Sequence, residues 1–296
     1  MKTKIENPRV QEMKVDTSLG TLNAKTMFVE TSDHKIAYRS IGNGPPIIMV
    51  NRFRGNLDTW DPAFLDALAI TFNVITIDYT GVGLSTGICA DDTLSMAKDV
   101  KDVAEALKLT KTIVAGWSLG GLVVQTVMTR YPELVSHAIL IGSSPPGVST
   151  GVPENLFWER ALKTVFDLDD GYVLFFEPKS ESSKNAALLS FGRIAKRAED
   201  LDTSVSKMCY DNQRKAIVNF REDIYDILGK LKVSKIPTLV LMGDHDICFH
   251  VEDWYPMIGE LPSIQLIVMP QAGHGVHHQY PDLAAKYITS FVENSK

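Results

Sequence analysis

Cysteine is scarce in this chain of 296 residues: Cys89, Cys209 and Cys248 are odd in number, widely scattered and without metal-type spacing. No disulfide is needed to hold such a chain, the spacing is not that of a metal site, and reduced thiols in a cytoplasmic protein are the expectation. No run approaches the roughly 18 apolar residues of a membrane-spanning helix. The first residues, Met1 to Pro8, lack the apolar stretch of a secretory signal. Basic residues are outnumbered, 30 Lys and Arg against 36 Asp and Glu, and a net charge of −6 argues against a general affinity for nucleic acid. Internal repeats and low-complexity segments are missing too. What remains is an ordinary globular mixture, 45% apolar and 22% charged, enough for a sizeable core without cross-links. The length suits one large domain or a domain with a substantial insertion.

Read in order, the polar lead-in before about residue 26 gives way to strand-like segments Met27–Glu30 and Lys35–Arg39, a hairpin. Ile47–Val50 is a fully apolar strand, residues 58–70 read as a helix, and Asn73–Asp78 as the next strand. Residues 93–107 carry Met96, Val100, Val103 and Leu107 near helical spacing. His137–Ile141 is again apolar. Strands alternating with helices, each strand buried on both faces, imply a mostly parallel sheet flanked by helices. From Ser143 to Lys235 the alternation stops and the text turns helix-like, rich in aromatics and charge. It resumes with a strand at Pro237–Met242, a helix near Glu252–Ile258, a strand at Ile264–Val268 and a last helix from Pro281 to Val292. The expected organisation is a core of residues 1–142 and 236–296 with a helical lid, residues 143–235, inserted between two strands. Such a lid would cover the carboxyl ends of the strands, where open α/β sheets bind ligands.

The densest signal is Ala115-Gly116-Trp117-Ser118-Leu119-Gly120-Gly121. A β-branched run, Lys111–Val114, precedes it, and an apolar helix-like run ending at Tyr131-Pro132 follows. Strand, Gly-x-Ser-x-Gly and helix is the context of a nucleophile elbow. Small residues at Gly116 and Gly120 let strand and helix approach closely while Ser118 projects outward. A serine hydroxyl needs a base to take its proton and a group to orient that base. After the strand ending at Met242 comes Gly243-Asp244-His245-Asp246, two carboxylates at a strand end. After Val268 comes Gly273-His274-Gly275, a histidine on a turn.

These segments together resemble the lidded α/β-hydrolase fold family, whose triad runs Ser, acid, His along the chain. Asp78-Tyr79-Thr80-Gly81-Val82-Gly83-Leu84-Ser85 is similar to the family's Asp-x-x-Gly-x-Gly-x-Ser turn, and Ala272-Gly273-His274 to its histidine turn. The acid turn, Gly-x-x-Asp, picks Asp246 over Asp244. The resemblance implies Ser118 as nucleophile, His274 as base and Asp246 as its orienting acid. It also implies two oxyanion donors, the backbone N–H groups of Leu119 and, by alignment of Asn51-Arg52-Phe53 on the family's His-Gly-donor segment, Phe53. Arginine at the glycine position is the main departure from the family pattern.

Hydrolysis of a small carboxylic ester or lactone through an acyl-enzyme is the expected reaction, with no cofactor and no metal. Perhydrolysis of the cofactor-free haloperoxidase type, or a receptor role on the same fold with little turnover, are the alternatives. The expected partner is a small-molecule ester or lactone, with no nucleic acid and no membrane; a homo-oligomer is left open. Arg52 and Arg54 are read first as solvated loop charges or partners of carboxylates such as Asp58 and Asp61, and second as attractors of a substrate carboxylate. Phe157, Trp158, Phe166, Tyr172, Phe175 and Phe176 are candidates for the pocket or for the core. Trp117 is expected to pack beneath the elbow, and His277 and His278 to serve packing or solvent contact rather than catalysis.

Overall fold

The computed structural model describes residues 20–147 and 153–295. The hairpin of β1 (Met27–Glu30) and β2 (Lys35–Ile41) comes first. Strands and helices then alternate through β3 (Pro46–Val50), α1 (Pro62–Ala69), β4 (Asn73–Ile77), α2 (Thr93–Ala106), β5 (Thr112–Trp117), α3 (Leu119–Arg130) and β6 (Val135–Ile141). The stretch that follows is purely helical among the described residues: α4 (Asn155–Ala161), α5 (Leu168–Phe175), α6 (Glu181–Ile194), α7 (Lys207–Arg221) and α8 (Ile227–Leu231). β7 (Thr238–Gly243), β8 (Ile264–Met269), α9 (Val276–Gln279) and α10 (Pro281–Asn294) complete the chain.

The strands form one sheet in the order β1-β2-β4-β3-β5-β6-β7-β8. β2 runs antiparallel to both its neighbours, and every pairing from β4 to β8 is parallel. β5 and β7 are buried along their full lengths, as their unbroken apolar runs require. One face of the sheet packs under α2 and α3 through Val100, Val103, Leu122 and Val123; the other packs under α1 and α10 through Phe64, Leu68, Ile288 and Phe291. The chain leaves β3 toward β4 on one side and leaves β5 toward β6 on the other. The sheet therefore switches direction between β3 and β5, and the loops at their carboxyl ends diverge to leave a crevice.

The helices start where local chemistry allows. Asp61 caps α1 by accepting from Ala63 N–H with Pro62 in the first turn, and Asp92 caps α2 by accepting from Ser95 N–H. In the inserted segment Asp167 and Asp170 form a capping box on α5, while Ser180 and Ser206 cap α6 and α7. The helix expected near residues 252–258 is a tighter 3-10 turn, Val251–Met257. Pro256 lies inside it and has no N–H to donate along an α-helical ladder.

The cysteines depart from expectation. Cys89 and Cys209 are joined as a disulfide across a separation of 120 residues, and Cys248 alone stays a buried thiol. Spacing concealed the pair because the two meet only when α7 packs against the loop between β4 and α2. No helix of the described residues is long and apolar enough to cross a membrane.

Candidate active site

Ser118 sits between β5 and α3 with φ 59° and ψ −120°, a conformation an L-residue adopts only under constraint. Its N–H donates to Ile141 O of β6 at 2.8 Å, and its carbonyl accepts from Gly121 N–H at 2.8 Å. A Cβ on Gly116 would stand 2.2 Å from the Gly120 carbonyl, and one on Gly120 would stand 2.3 Å from Val50 O at the end of β3. Glycine at both positions is what brings strand, helix and the β3 loop into one place.

His274 lies on the turn between β8 and α9, with its Nδ1 2.7 Å from Asp246 Oδ2. Asp246 follows β7, and its other oxygen accepts from the N–H groups of Cys248 at 2.8 Å and Phe249 at 3.0 Å. Three hydrogen bonds thus fix the carboxylate, and both side chains are buried. Nδ1 is thus engaged by the carboxylate, which leaves Nε2 as the ring nitrogen not bound to it. Asp244 faces elsewhere: it holds His245 at 2.6 Å and accepts from Ala272 N–H. The Trp117 indole N–H donates to the His274 carbonyl at 2.9 Å, which ties the elbow to the histidine turn.

Ser118 and His274 line one cleft together with Arg52, Phe53, Arg54, Phe157, Phe166 and Phe175. Its volume is about 20 Å³, little more than one water molecule needs. No hydrogen bond joins the Ser118 hydroxyl to His274 among the described residues. Asn51 Oδ1 accepts from Arg52 N–H at 2.8 Å, whereas the Phe53 and Leu119 N–H groups meet no acceptor among the described residues. Two larger depressions lie away from Ser118. One of about 730 Å³, lined by Lys111, His137 and Pro237, is at the opposite end of the strands. The other, about 540 Å³, flanks the outer side of the acid turn at Asp244 and His245.

The pattern that defines the alpha/beta hydrolase fold matches residues 45–281, most of the chain. The chain belongs to the α/β-hydrolase fold family. An alpha/beta hydrolase fold protein from Chitinophaga pinensis superposes with a TM-score of 0.82 and 29% identity, over 93% of this chain and all of that one. A Bacillus subtilis protein provisionally named 2-succinyl-6-hydroxy-2,4-cyclohexadiene-1-carboxylate synthase is 27% identical over 93% of this chain and 99% of its own. A provisionally named non-heme chloroperoxidase of Synechocystis is 25% identical over 87% of this chain and 95% of its own.

Within this α/β-hydrolase the loop after β3 is where the side chains depart most from a simple reading. Arg52 and Arg54 are half-buried rather than fully solvated, and neither is paired with Asp58 or Asp61. Asp58 is held by Arg39 at 2.5 Å and Arg197 at 3.3 Å, and Asp61 by Arg193 at 2.6 Å. Arg54, at φ 57°, donates to the carbonyls of Ala161 and Lys163 and lies over the rings of Phe166 and Tyr210. Arg52 lies 4.6 Å from the centre of the Phe175 ring and 5.2 Å from that of Trp117. Part of Arg52 remains accessible, yet the protein around it is dense enough to push its pKa down to about 9, with repulsion from Arg54 adding to the burial. Arg52 lines the cleft, and its Nε is buried.

Of the candidate aromatics, Phe157, Phe166 and Phe175 reach the cleft. Trp158 stands edge-on to Phe53, and Phe176 packs against Phe191 in the interior. Trp117 is buried among His274, His277 and His278, as expected of a residue beneath the elbow. His277 and His278 are buried as well; burial pushes His277 well below the ordinary range and His278 down to about 4, so both are neutral.

Proposed function

We propose that this α/β-hydrolase cleaves a small carboxylic ester or lactone, with Ser118 as nucleophile, His274 as general base and acid, and Asp246 as the group that orients the imidazole. The observation that carries the reading is the His274 Nδ1–Asp246 Oδ2 hydrogen bond of 2.7 Å beside a strained Ser118 in one cleft. Nε2 takes the Ser118 proton as Oγ attacks the carbonyl carbon. The alkoxide oxygen that develops is met by the N–H groups of Phe53 and Leu119, which have no competing acceptors among the described residues. Collapse expels the alcohol, protonated by His274, and leaves an acyl-enzyme. Water, deprotonated by the same imidazole, then releases the acid and restores Ser118.

Residues 143–235 act in this reading as a lid over the core formed by residues 1–142 and 236–296. The lid meets the histidine turn directly, since Gly275 N–H donates to Phe175 O at 2.7 Å. A cleft of about 20 Å³ is too small for an ester, so side chains of its lining shift when substrate enters. Disulfides persist mainly in oxidising compartments. The Cys89–Cys209 pair therefore removes the support that three reduced thiols would lend to a cytoplasmic location.

A second reading, perhydrolysis, draws on the Synechocystis relative's name and differs only in that peroxide rather than water attacks the acyl-enzyme. One experiment addresses both: p-nitrophenyl esters of graded chain length and a set of lactones, with and without hydrogen peroxide, for wild type beside Ser118→Ala. Hydrolysis that falls by several orders of magnitude in the variant supports the serine mechanism. Equal turnover in both proteins sinks it, and peracid formation exceeding hydrolysis favours the second reading.

A further inference from the structure

We propose that Arg52 is the anchor for a carboxylate on the substrate, close to the carbonyl that Ser118 attacks. This rests on the reading of the Ser118 cleft as the active site and adds the substrate class to it. Several other arginines that are buried or half-buried already have counterions. Arg39 and Arg197 share Asp58, and Arg160 reaches Asp169 and Asp170. Arg193 grips Asp61 with a two-pronged edge, Nε to Oδ1 at 2.8 Å and Nη2 to Oδ2 at 2.6 Å. On Arg52 the same edge has no protein acceptor among the described residues: Nε is buried and unpartnered, and only Nη1 donates, to Phe53 O at 2.7 Å. No ion pair joins Arg52 to any carboxylate among the described residues.

A cation enclosed in this way raises the free energy of the fold unless an anion completes it. The rings of Phe175 and Trp117 offset part of that penalty and, more to the point, hold the planar guanidinium in one position. What is left over is a forked donor pair, the geometry that matches a carboxylate. Its place in the fold decides which carboxylate. Arg52 lies one residue before Phe53, whose N–H faces the reacting carbonyl in the proposed mechanism, and it lines the cleft that holds Ser118 and His274. The neighbour Arg54 is different: its guanidinium is committed to the Ala161 and Lys163 carbonyls and to two aromatic rings, so it fastens the inserted segment to the β3 loop.

The test compares p-nitrophenyl hemisuccinate and hemiglutarate with the uncharged p-nitrophenyl butyrate and valerate. The quantity read is the ratio of kcat/KM for the anionic ester to that for its neutral counterpart, which does not depend on the fraction of enzyme folded. Wild type is expected to favour the hemiesters at least tenfold. Arg52→Gln should lower the ratio by ten- to a hundredfold, while Arg54→Gln lowers both activities and leaves the ratio in place. An unchanged ratio in Arg52→Gln overturns the assignment. Calorimetric titration of Ser118→Ala with succinate, glutarate and adipate separates the two proposals. Binding that disappears in the Ser118→Ala, Arg52→Gln double variant upholds the anchor even if no ester is turned over. Ester turnover with an unchanged ratio and no diacid binding defeats the anchor and leaves the hydrolase reading standing.

Discussion

Asp246 and Asp244 stand two residues apart on one turn, yet only Asp246 reaches His274, at 2.7 Å, while Asp244 is engaged with His245 at 2.6 Å. The division of labour comes from the turn after β7. Backbone N–H groups of Cys248 and Phe249 draw Asp246 inward, and the Ala272 N–H holds Asp244 at the rim.

Exchange of each carboxylate for its amide separates the two roles. Asp246→Asn leaves the packing nearly intact but removes the charge that favours an imidazolium at His274, and it frees the imidazole to take the wrong tautomer. A loss on the order of 10³- to 10⁴-fold in kcat is expected. Asp244→Asn should change kcat less than tenfold. Steady-state rates on one ester decide the matter, and comparable losses in the two variants would contradict the assignment of Asp246.

The pair His277 and His278 makes stability depend on pH in a direction that follows from burial. His278 is pushed from 6.5 to about 4, first by desolvation and then by the neighbouring cations and histidine, against the pull of Asp61. Between these values the unfolded chain binds a proton that the native state refuses, so native stability falls as pH drops from 6.5 toward 4. It is fully retained above 6.5. The contribution of His278 is about 3 kcal/mol across that window. His278→Asn should abolish that share of the acid sensitivity. Urea midpoints measured from pH 4 to 7 report it, and curves for wild type and variant that run parallel rule it out.

The Cys89–Cys209 bond closes a long loop and holds α7 of the inserted segment to the core. Reduction, or Cys209→Ala, should lower unfolding free energy by about 2–4 kcal/mol. Intact mass under non-reducing conditions, before and after alkylation, establishes the bond itself. Alkylation of both cysteines in the native, unreduced protein would show that the thiols are free.

The sequence by itself determined the alternation of strand and helix, the elbow at Ser118, and the order in which Asp246 and His274 follow it. Each of these is written in a short stretch: β-branched runs buried on both faces, glycines where a turn is sharp, a carboxylate or histidine just past a strand. Local rules suffice because neighbours in the chain carry the signal. The meaning of Arg52 was not of that kind. Whether a cation is solvated, paired or enclosed depends on groups far along the chain, here Phe175, Trp117 and the arginines that had already claimed Asp58 and Asp61. The same holds for Cys89 and Cys209, brought within a bond by the docking of α7. It holds equally for which aromatics reach the cleft, since Phe175 and its neighbour Phe176 face opposite environments on one helix end. Burial and counterions are properties of the assembled fold, and only packing of the inserted helices onto the strand ends decided them.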